Sequence, residues 1–307
     1  MVDKAFRIIG HRGARGLFAE NTLEGFRCAW DLGVREFELD VGLTRDGVAV
    51  VAHDPVLNPD LTRDAAGAWL DGPGPTIHAR TAAELAAFDV GRARPGSRVA
   101  ALFPRQRPRD GARIPSLTAV LAALPAARWI IEIKTDPTRP SLTAPPAILA
   151  DAVLADIDRS AAATRVVVES FDWRIQAYLR RVRPDIRLAY LTSPDAPADP
   201  WWAGVPPADQ GGSVPARVAA VAPEGAAWAP AFTTLTQADV RQAHALGLSV
   251  LPWTVNAPDA MRRLIGWGVD GIITDEPDVL AATRAATLAA TLATVTAAGN
   301  STTPTRG

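Results

Sequence analysis

Four short runs of this sequence bring together residue types able to carry acid–base or electrostatic chemistry. The first, Ile8-Ile9-Gly10-His11-Arg12-Gly13, ends an apolar stretch in a proton carrier beside a fixed cation. The flanking glycines let backbone approach a ligand closely. Taken alone, such a pair is also an ordinary turn feature. The second run, Glu36-Phe-Glu38-Leu-Asp40-Val, alternates acids with apolar residues. On a strand, residues two apart share a face, so Phe37, Leu39 and Val41 pack outward while Glu38 and Asp40 point together into one space. Enclosed carboxylates repel unless a cation or a shared proton relieves them, and hard oxygen donors of this kind suit Mg2+ or Ca2+. A polar edge strand with solvated acids is the plain alternative. Glu36 has the same parity but sits about 6–7 Å further from the strand end, and reads as structural.

In the third run, Val50-Val51-Ala52-His53-Asp54-Pro55, a second histidine follows an apolar extended stretch. The chain has four histidines. The other two, His78 in an irregular segment and His244 on a surface helix, read as structural. The fourth run, Trp129-Ile-Ile-Glu132-Ile-Lys134, puts Glu132 and Lys134 on one face and Ile131 and Ile133 on the other. Of 32 basic residues only Lys4 and Lys134 are lysines, so a lysine in mid-chain invites a specific reason. Its compact ammonium suits a point contact with a phosphate oxygen; an ordinary ion pair with Glu132 is the opposing account. Together these runs supply carboxylates for a cation, an arginine and a lysine for an anionic substrate, and two histidines for general acid and general base. Metal-assisted cleavage of a phosphate ester fits that set best.

The elements that must position these residues alternate regularly. Strands are expected at Phe6–Gly10, Glu36–Thr44, Trp129–Lys134, Arg165–Phe171, Arg187–Thr192, Ala227–Phe232, Leu248–Val255 and Gly271–Thr274. Helices are expected at Asn21–Gly33, Ala147–Asp158, Trp173–Val182, Thr236–Leu246, Asp259–Gly268 and Val279–Leu292. The Val48–His53 run extends or accompanies the second strand. Two irregular stretches, Asp54–Arg113 and Ser193–Gly225, are dense in Gly and Pro. Repeated βα steps with polar residues gathered at the ends of several strands favour an α/β fold, a (βα)8 TIM barrel, over an open doubly wound sheet. The 307 residues accommodate one barrel domain over 1–300, with an insertion at about 55–113, a long loop at about 193–225 and a disordered tail at 301–307.

Composition narrows the partners. Lys+Arg total 32 against 33 for Asp+Glu, a formal net charge of −1, so no basic surplus exists for nucleic acid. The single Cys28 excludes an internal disulfide framework. Charged residues stand at the start where a signal peptide needs an apolar core, and no run reaches the length of a membrane span. A soluble, cytoplasmic protein is the expectation.

The ordered set of motifs resembles the glycerophosphodiester phosphodiesterase family. It comprises His11-Arg-Gly-Ala, Glu20-Asn21-Thr22, Glu38-Leu-Asp40-Val, Thr44-Arg-Asp-Gly, His53-Asp54, Ile114-Pro-Ser-Leu117, Glu132-Ile-Lys134, Ser170-Phe-Asp172, Trp253-Thr-Val-Asn256 and Gly268-Val-Asp-Gly-Ile-Ile-Thr-Asp275. Each piece is weak, but the ordered set, spanning Ile8 to Pro277, is specific. The resemblance implies a (βα)8 barrel with a small subdomain inserted after the second strand. It implies that Glu38, Asp40 and Glu132 hold a divalent cation, Mg2+ or Ca2+, that His11 and His53 are the acid–base pair, and that Arg12 and Lys134 contact the phosphate. Asn21 matches a hydrogen-bond donor near the site, and Trp253 an aromatic beside the glycerol. Position 19 is Ala where the family usually has Pro, a change of loop stiffness. The implied substrate is a small glycerophosphodiester, cleaved to an alcohol and glycerol 3-phosphate. A phospholipase D-like enzyme acting on lysophospholipid or sphingolipid head groups is the alternative; it needs an apolar rim, for which Trp201-Trp202 is the candidate.

Overall fold

The computed structural model describes residues 6–196, 198–206 and 212–299. The expected tail at 301–307 and the charged start of the chain lie outside the described residues. The strands are β1 (Arg7–Gly10), β2 (Glu36–Leu43), β3 (Ala49–Val51), β4 (Arg128–Ile133), β5 (Val166–Ser170), β6 (Arg187–Thr192), β7 (Ala227–Pro230), β8 (Ser249–Val250) and β9 (Gly271–Thr274). Eight of them run parallel in the order β8-β7-β6-β5-β4-β2-β1-β9, and β3 pairs antiparallel with β2. Strand β8 is short because Pro252 has no N–H to continue a ladder. Backbone hydrogen bonds nevertheless carry the sheet across the remaining seam, from Asp270 N to Val250 O, Ile273 N to Pro252 O and Val255 N to Ile273 O. The result is a (βα)8 barrel.

A helix of seven or more residues follows each parallel strand or its hairpin: α1 (Leu23–Asp31), α2 (Leu117–Ala123), α3 (Pro146–Arg159), α4 (Arg174–Val182), α5 (Val214–Val221), α6 (Gln237–Ala245), α7 (Pro258–Trp267) and α8 (Pro277–Gly299). Their starts carry local signals. Thr22 accepts a hydrogen bond from Gly25 N at the head of α1, and Thr236 forms a reciprocal capping box with Asp239 at the head of α6. Two helices depart from the sequence expectation. Helix α2 has seven residues, too few for a periodic signal, although Ser116 caps it. Helix α5 lies inside a stretch read as irregular; Pro215 fits its first turn and Ser213 caps it, but surrounding Pro and Gly mask the pattern. The Val48–His53 run narrows to β3, whose hairpin pairs Val51 with Val41.

Side-chain alternation divides the core into two layers. Outside the sheet, Phe26 of α1, Phe37 of β2 and Trp129 of β4 meet with ring centroids 5.3–5.7 Å apart. Inside, Ile9, Ile130, Val167, Ala189, Ala227, Leu251 and Ile273 fill one layer of the barrel. Strand β2 alone turns three acids inward. Glu36, at the lower end, is ion-paired with Arg7 and lies 3.4 Å from Arg128, in agreement with its structural reading. Between β3 and α2 an inserted segment folds over a small core of Val50, Leu57, Ile77 and Leu85. Because the aromatic trio is fully enclosed, Phe37→Ala should cost about 3–5 kcal/mol of stability, measured by urea unfolding. A loss below about 1 kcal/mol would contradict this packing.

Candidate active site

The upper ends of the strands converge on a cavity of about 160 Å3 whose lining includes His11, Arg12, Glu38, His53, Glu132, Lys134 and Trp253. Strand β1 ends in a tight turn: a Cβ on Gly10 would lie 1.9 Å from Gly13 O, so only glycine fits there. The turn places Arg12 at φ 49°, in the left-handed region that a non-glycine side chain rarely occupies. Its carbonyl accepts from Asn21 N, and Asn21 is left-handed too (φ 55°). Such conformations persist only where surrounding bonds over-determine them. Here they do: Arg12 N donates to Glu38 Oε2 (3.0 Å), its guanidinium meets Glu20 Oε1 (2.8 Å) and Asp40 Oδ2 (3.3 Å), and Asn21 Nδ2 donates to Asp40 Oδ2 (2.8 Å).

Carboxylate oxygens of Glu38, Asp40 and Glu132 lie within 4.8 Å of one another. The inward parity of β2 and the register that pairs Asp40 with Glu132 bring them together. Lys134 Nζ bridges Glu132 Oε2 (2.7 Å) and Asp40 Oδ1 (3.0 Å). It therefore joins two carboxylates, so the opposing account, an ion pair with Glu132 alone, covers only half of its contacts. Around this centre four buried acids, Glu38, Asp40, Glu132 and Glu169, face Arg12 and Lys134. Despite burial, Lys134 and Arg12 hold Asp40 well below the usual carboxylate range. Burial and then the Asp40 charge drive Glu38 well above it. Burial, opposed by Lys134 and reinforced by Asp40, pushes Glu132 up to about 7. The array is thus short of positive charge. Glu38 Oε1, buried and without a hydrogen-bond partner among the described residues, is an oxygen donor facing that shortage, so the residues present fit a hard divalent cation.

The two histidines flank the carboxylates. His11 Nδ1 lies 2.6 Å from Asp275 Oδ1, and His11 Nε2 lies 3.7 Å from Glu38 Oε2. His53 Nδ1 lies 2.7 Å from Asp54 Oδ1, whose other oxygen accepts from Asn58. An ionised carboxylate only accepts, so each Nδ1 carries its proton and each Nε2 is free to take one. Burial, then Lys134 and Arg12, lowers His53 to about 4. Burial also lowers His11, against the pull of Asp275. Trp253 Nε1 donates to Ala229 O, and its ring stands edge-on to Phe171 at 5.4 Å, forming the apolar wall. His78 bonds Leu43 O and His244 bonds Asp270, both away from the cavity.

Three positions beside the site received no role in the sequence reading, although Asp275 and Asn256 stand in its motifs. Asp275 follows β9 as His11 follows β1, and the pairing of Gly10 with Thr274 sets the two side by side. Asn256 steadies Asp275 by a 2.7 Å hydrogen bond. Glu169 stands in register with Glu132; its signal was a lone acid in the otherwise apolar Val166-Val-Val-Glu-Ser. Trp202 corrects a further expectation. It is 5% exposed and stacks on Trp173 with centroids 4.6 Å apart, while Trp201 stands edge-on to Phe171. A large indole gains more by covering Trp173 than by facing water, so Trp202 does not belong to an apolar rim, while Trp201 is half-buried. Among the described residues no helix is long and apolar enough to cross a membrane.

A parallel barrel with carboxylates, imidazoles and fixed cations at its strand ends has the architecture of a barrel hydrolase. The Glycerophosphoryl diester phosphodiesterase family profile matches residues 11–279. Among similar proteins is the glycerophosphodiester phosphodiesterase of Caldanaerobacter subterraneus subsp. tengcongensis, 27% identical over 273 residues, 89% of this chain and 95% of that one. A crystal structure from Silicibacter pomeroyi DSS-3 matches with a TM-score of 0.82 and 38% identity, over 92% of this chain and 93% of that one. An Oleispira antarctica phosphodiesterase in complex with the product sn-glycerol-3-phosphate shares the fold, with a TM-score of 0.66 and 21% identity over 90% and 96% of the two chains. The chain belongs to the glycerophosphoryl diester phosphodiesterase family and is a phosphoric diester hydrolase.

Asp275 favours the charged form of His11, so Asp275→Asn should lower the His11 pKa further. NMR titration of the imidazole resonances checks this, and an unchanged or higher value would remove Asp275 as its partner.

Proposed function

We propose that the protein hydrolyses small glycerophosphodiesters to an alcohol and glycerol 3-phosphate by acid–base catalysis at His11 and His53, with a divalent cation, Mg2+ or Ca2+, held by Glu38, Asp40 and Glu132. The observation that carries this reading is the crowding of those three oxygens within 4.8 Å, beside Arg12 and Lys134 and between two imidazoles. When bound, the cation supplies Lewis-acid charge for the non-bridging phosphate oxygens. Arg12 and Lys134 add fixed positive charge where the transition state gathers negative charge. Both lie beside the carboxylates they neutralise, so the site stays compact before substrate arrives.

Each histidine works through Nε2, since Nδ1 is turned to a carboxylate. One imidazole takes the proton of the glycerol 2-hydroxyl, whose oxygen attacks phosphorus as an internal nucleophile. The other gives its proton to the departing alcohol oxygen. Water then opens the cyclic phosphate with the two roles exchanged, which returns both imidazoles to their starting forms. Burial near the cations keeps the base imidazole neutral, while the acid imidazole enters the step as imidazolium, protonated at Nε2 as well as at Nδ1 and balanced by the carboxylate at Nδ1. Trp253 and Phe171 provide an apolar wall for the glycerol carbons. Asn21 acts from behind, holding Asp40. The product bound by the Oleispira phosphodiesterase is in keeping with the same substrate class.

A panel of glycerophosphodiesters, assayed for glycerol 3-phosphate with and without chelator, tests the reading; full activity after exhaustive chelation sinks it. His11→Ala and His53→Ala should each lower kcat by roughly 10²–10⁴-fold with the fold intact, whereas His244→Ala should not. Equal losses from all three would overturn the assignment of the pair.

Lys134→Arg should fold yet lose at least about tenfold in kcat/KM, because a planar guanidinium cannot replace a point charge between two carboxylates. Wild-type kinetics would return Lys134 to the scaffold.

Cation binding must displace the proton that Glu132 holds below about pH 7. Calorimetric affinity should therefore weaken by at least about tenfold per pH unit on acidification below that value, since Glu38, also driven above the usual carboxylate range, holds a proton to displace as well. A pH-independent affinity would exclude Glu132 as a ligand.

A further inference from the structure

Glu169 is not used by the mechanism above, yet it is 1% exposed inside the barrel and lines the same cavity. Its buried Oε2 has no hydrogen-bond partner among the described residues. A carboxyl oxygen withdrawn from water and left unpaired is costly, and natural sites retain one where a ligand completes it. The position of Glu169 indicates what that ligand offers. On one side its strand neighbour is Glu132, the edge of the charged cluster. On the other it is Ala189, whose methyl group leaves room, and beyond it the cavity wall is formed by Leu191, Phe171 and Trp253. Glu169 is thus a polar group at the border between a phosphate-binding half and a mostly apolar half, whose lining also includes Thr254.

The retained part of a glycerophosphodiester is divided in the same way. Its phosphate belongs with Arg12 and Lys134, its 2-hydroxyl with a catalytic imidazole, and its carbon chain with the aromatic wall. One polar group is then unaccounted for, the primary hydroxyl at the far end of the glycerol. We propose that Glu169 is a specificity-determining residue that hydrogen-bonds this free primary hydroxyl, an assignment that rests on the diesterase reading above. It selects glycerol over diols that could attack phosphorus equally well. A site built to pair with a hydroxyl discriminates against the analogue lacking it, because the protein group is then stranded.

The test compares glycerophosphocholine with its 1-deoxy analogue, in which the terminal CH2OH is CH3 and the attacking 2-hydroxyl is kept. Wild type should prefer the glycerol substrate by roughly tenfold or more in kcat/KM. Glu169→Leu, close in volume and apolar, should lose most of that preference. Glu169→Gln, which keeps the length and both donates and accepts, should retain most of it. Mg2+ and Ca2+ affinities measured by calorimetry should stay within about threefold of wild type in both variants, less than the loss expected from removing a group that supports a metal. Undiminished preference in a folded Glu169→Leu protein would overturn the proposal, as would absence of any preference in wild type. Weakened cation affinity in Glu169→Gln, with both substrates slowed alike, would make Glu169 a cation ligand instead. Hydrolysis of neither diester by wild type would overturn the diesterase reading, and this proposal with it.

Discussion

The structure depends on a charge imbalance inside the barrel. Glu38, Asp40, Glu132 and Glu169 are all withdrawn from water, and Arg12 and Lys134 are the cations placed against them. Two positive charges cannot satisfy four carboxylates, so the site is stable as built only with protons on some of them or with another cation among them. That shortage explains why Asp40, which touches both cations and Asn21, stays ionised while its neighbours are driven toward the neutral form. It also explains the need for hydrogen bonds from Arg12 N and Asn21 Nδ2, each of which removes some of the cost of one buried charge.

Holding these groups at close range falls to rigid parts of the barrel. The carboxylates stand on β2, β4 and β5, three adjacent strands in fixed register, and their outward faces are locked by Phe37, Trp129 and the helices over them. Below them an apolar layer from Ile9 to Ile273 excludes water from the barrel axis. At the site, the turn after β1 departs from easy backbone geometry. Left-handed Arg12 and Asn21 there are tied to each other and to Glu38, Asp40 and Glu20. The strain and the charge problem are resolved by the same bonds.

The two histidines reach the site by different routes, which gives them different surroundings. His11 comes directly off a barrel strand and is backed by Asp275 and Asn256 on the next strands round. His53 is delivered by the β3 hairpin and the entry to the inserted segment, and its partner Asp54 is adjacent in sequence. One imidazole is thus held by barrel closure and the other by local chain geometry, an arrangement in which the insertion shapes one side of the cavity without altering the other.

Much of this was legible along the chain because periodicity encodes which face a residue occupies. The alternation in Glu36–Val41 was enough to send Glu38 and Asp40 inward, and the lone mid-chain lysine marked Lys134 for a specific contact. Strands ending in His11 and His53 placed both imidazoles at the barrel mouth. The family resemblance added Asn21 and Trp253, which the cavity and its hydrogen bonds then bring near. Periodicity says nothing about lateral neighbours. Asp275 meets His11 across 264 positions of chain, and Glu169 meets Glu132 across a helical crossover, because strand order and stagger set those distances. Burial of Trp202 against Trp173, and the helical state of Val214–Val221 within a Pro- and Gly-rich stretch, likewise follow from packing that no local window contains. The sequence by itself determined the chemistry available and the face on which each group would stand; the closed, staggered barrel decided which groups would touch.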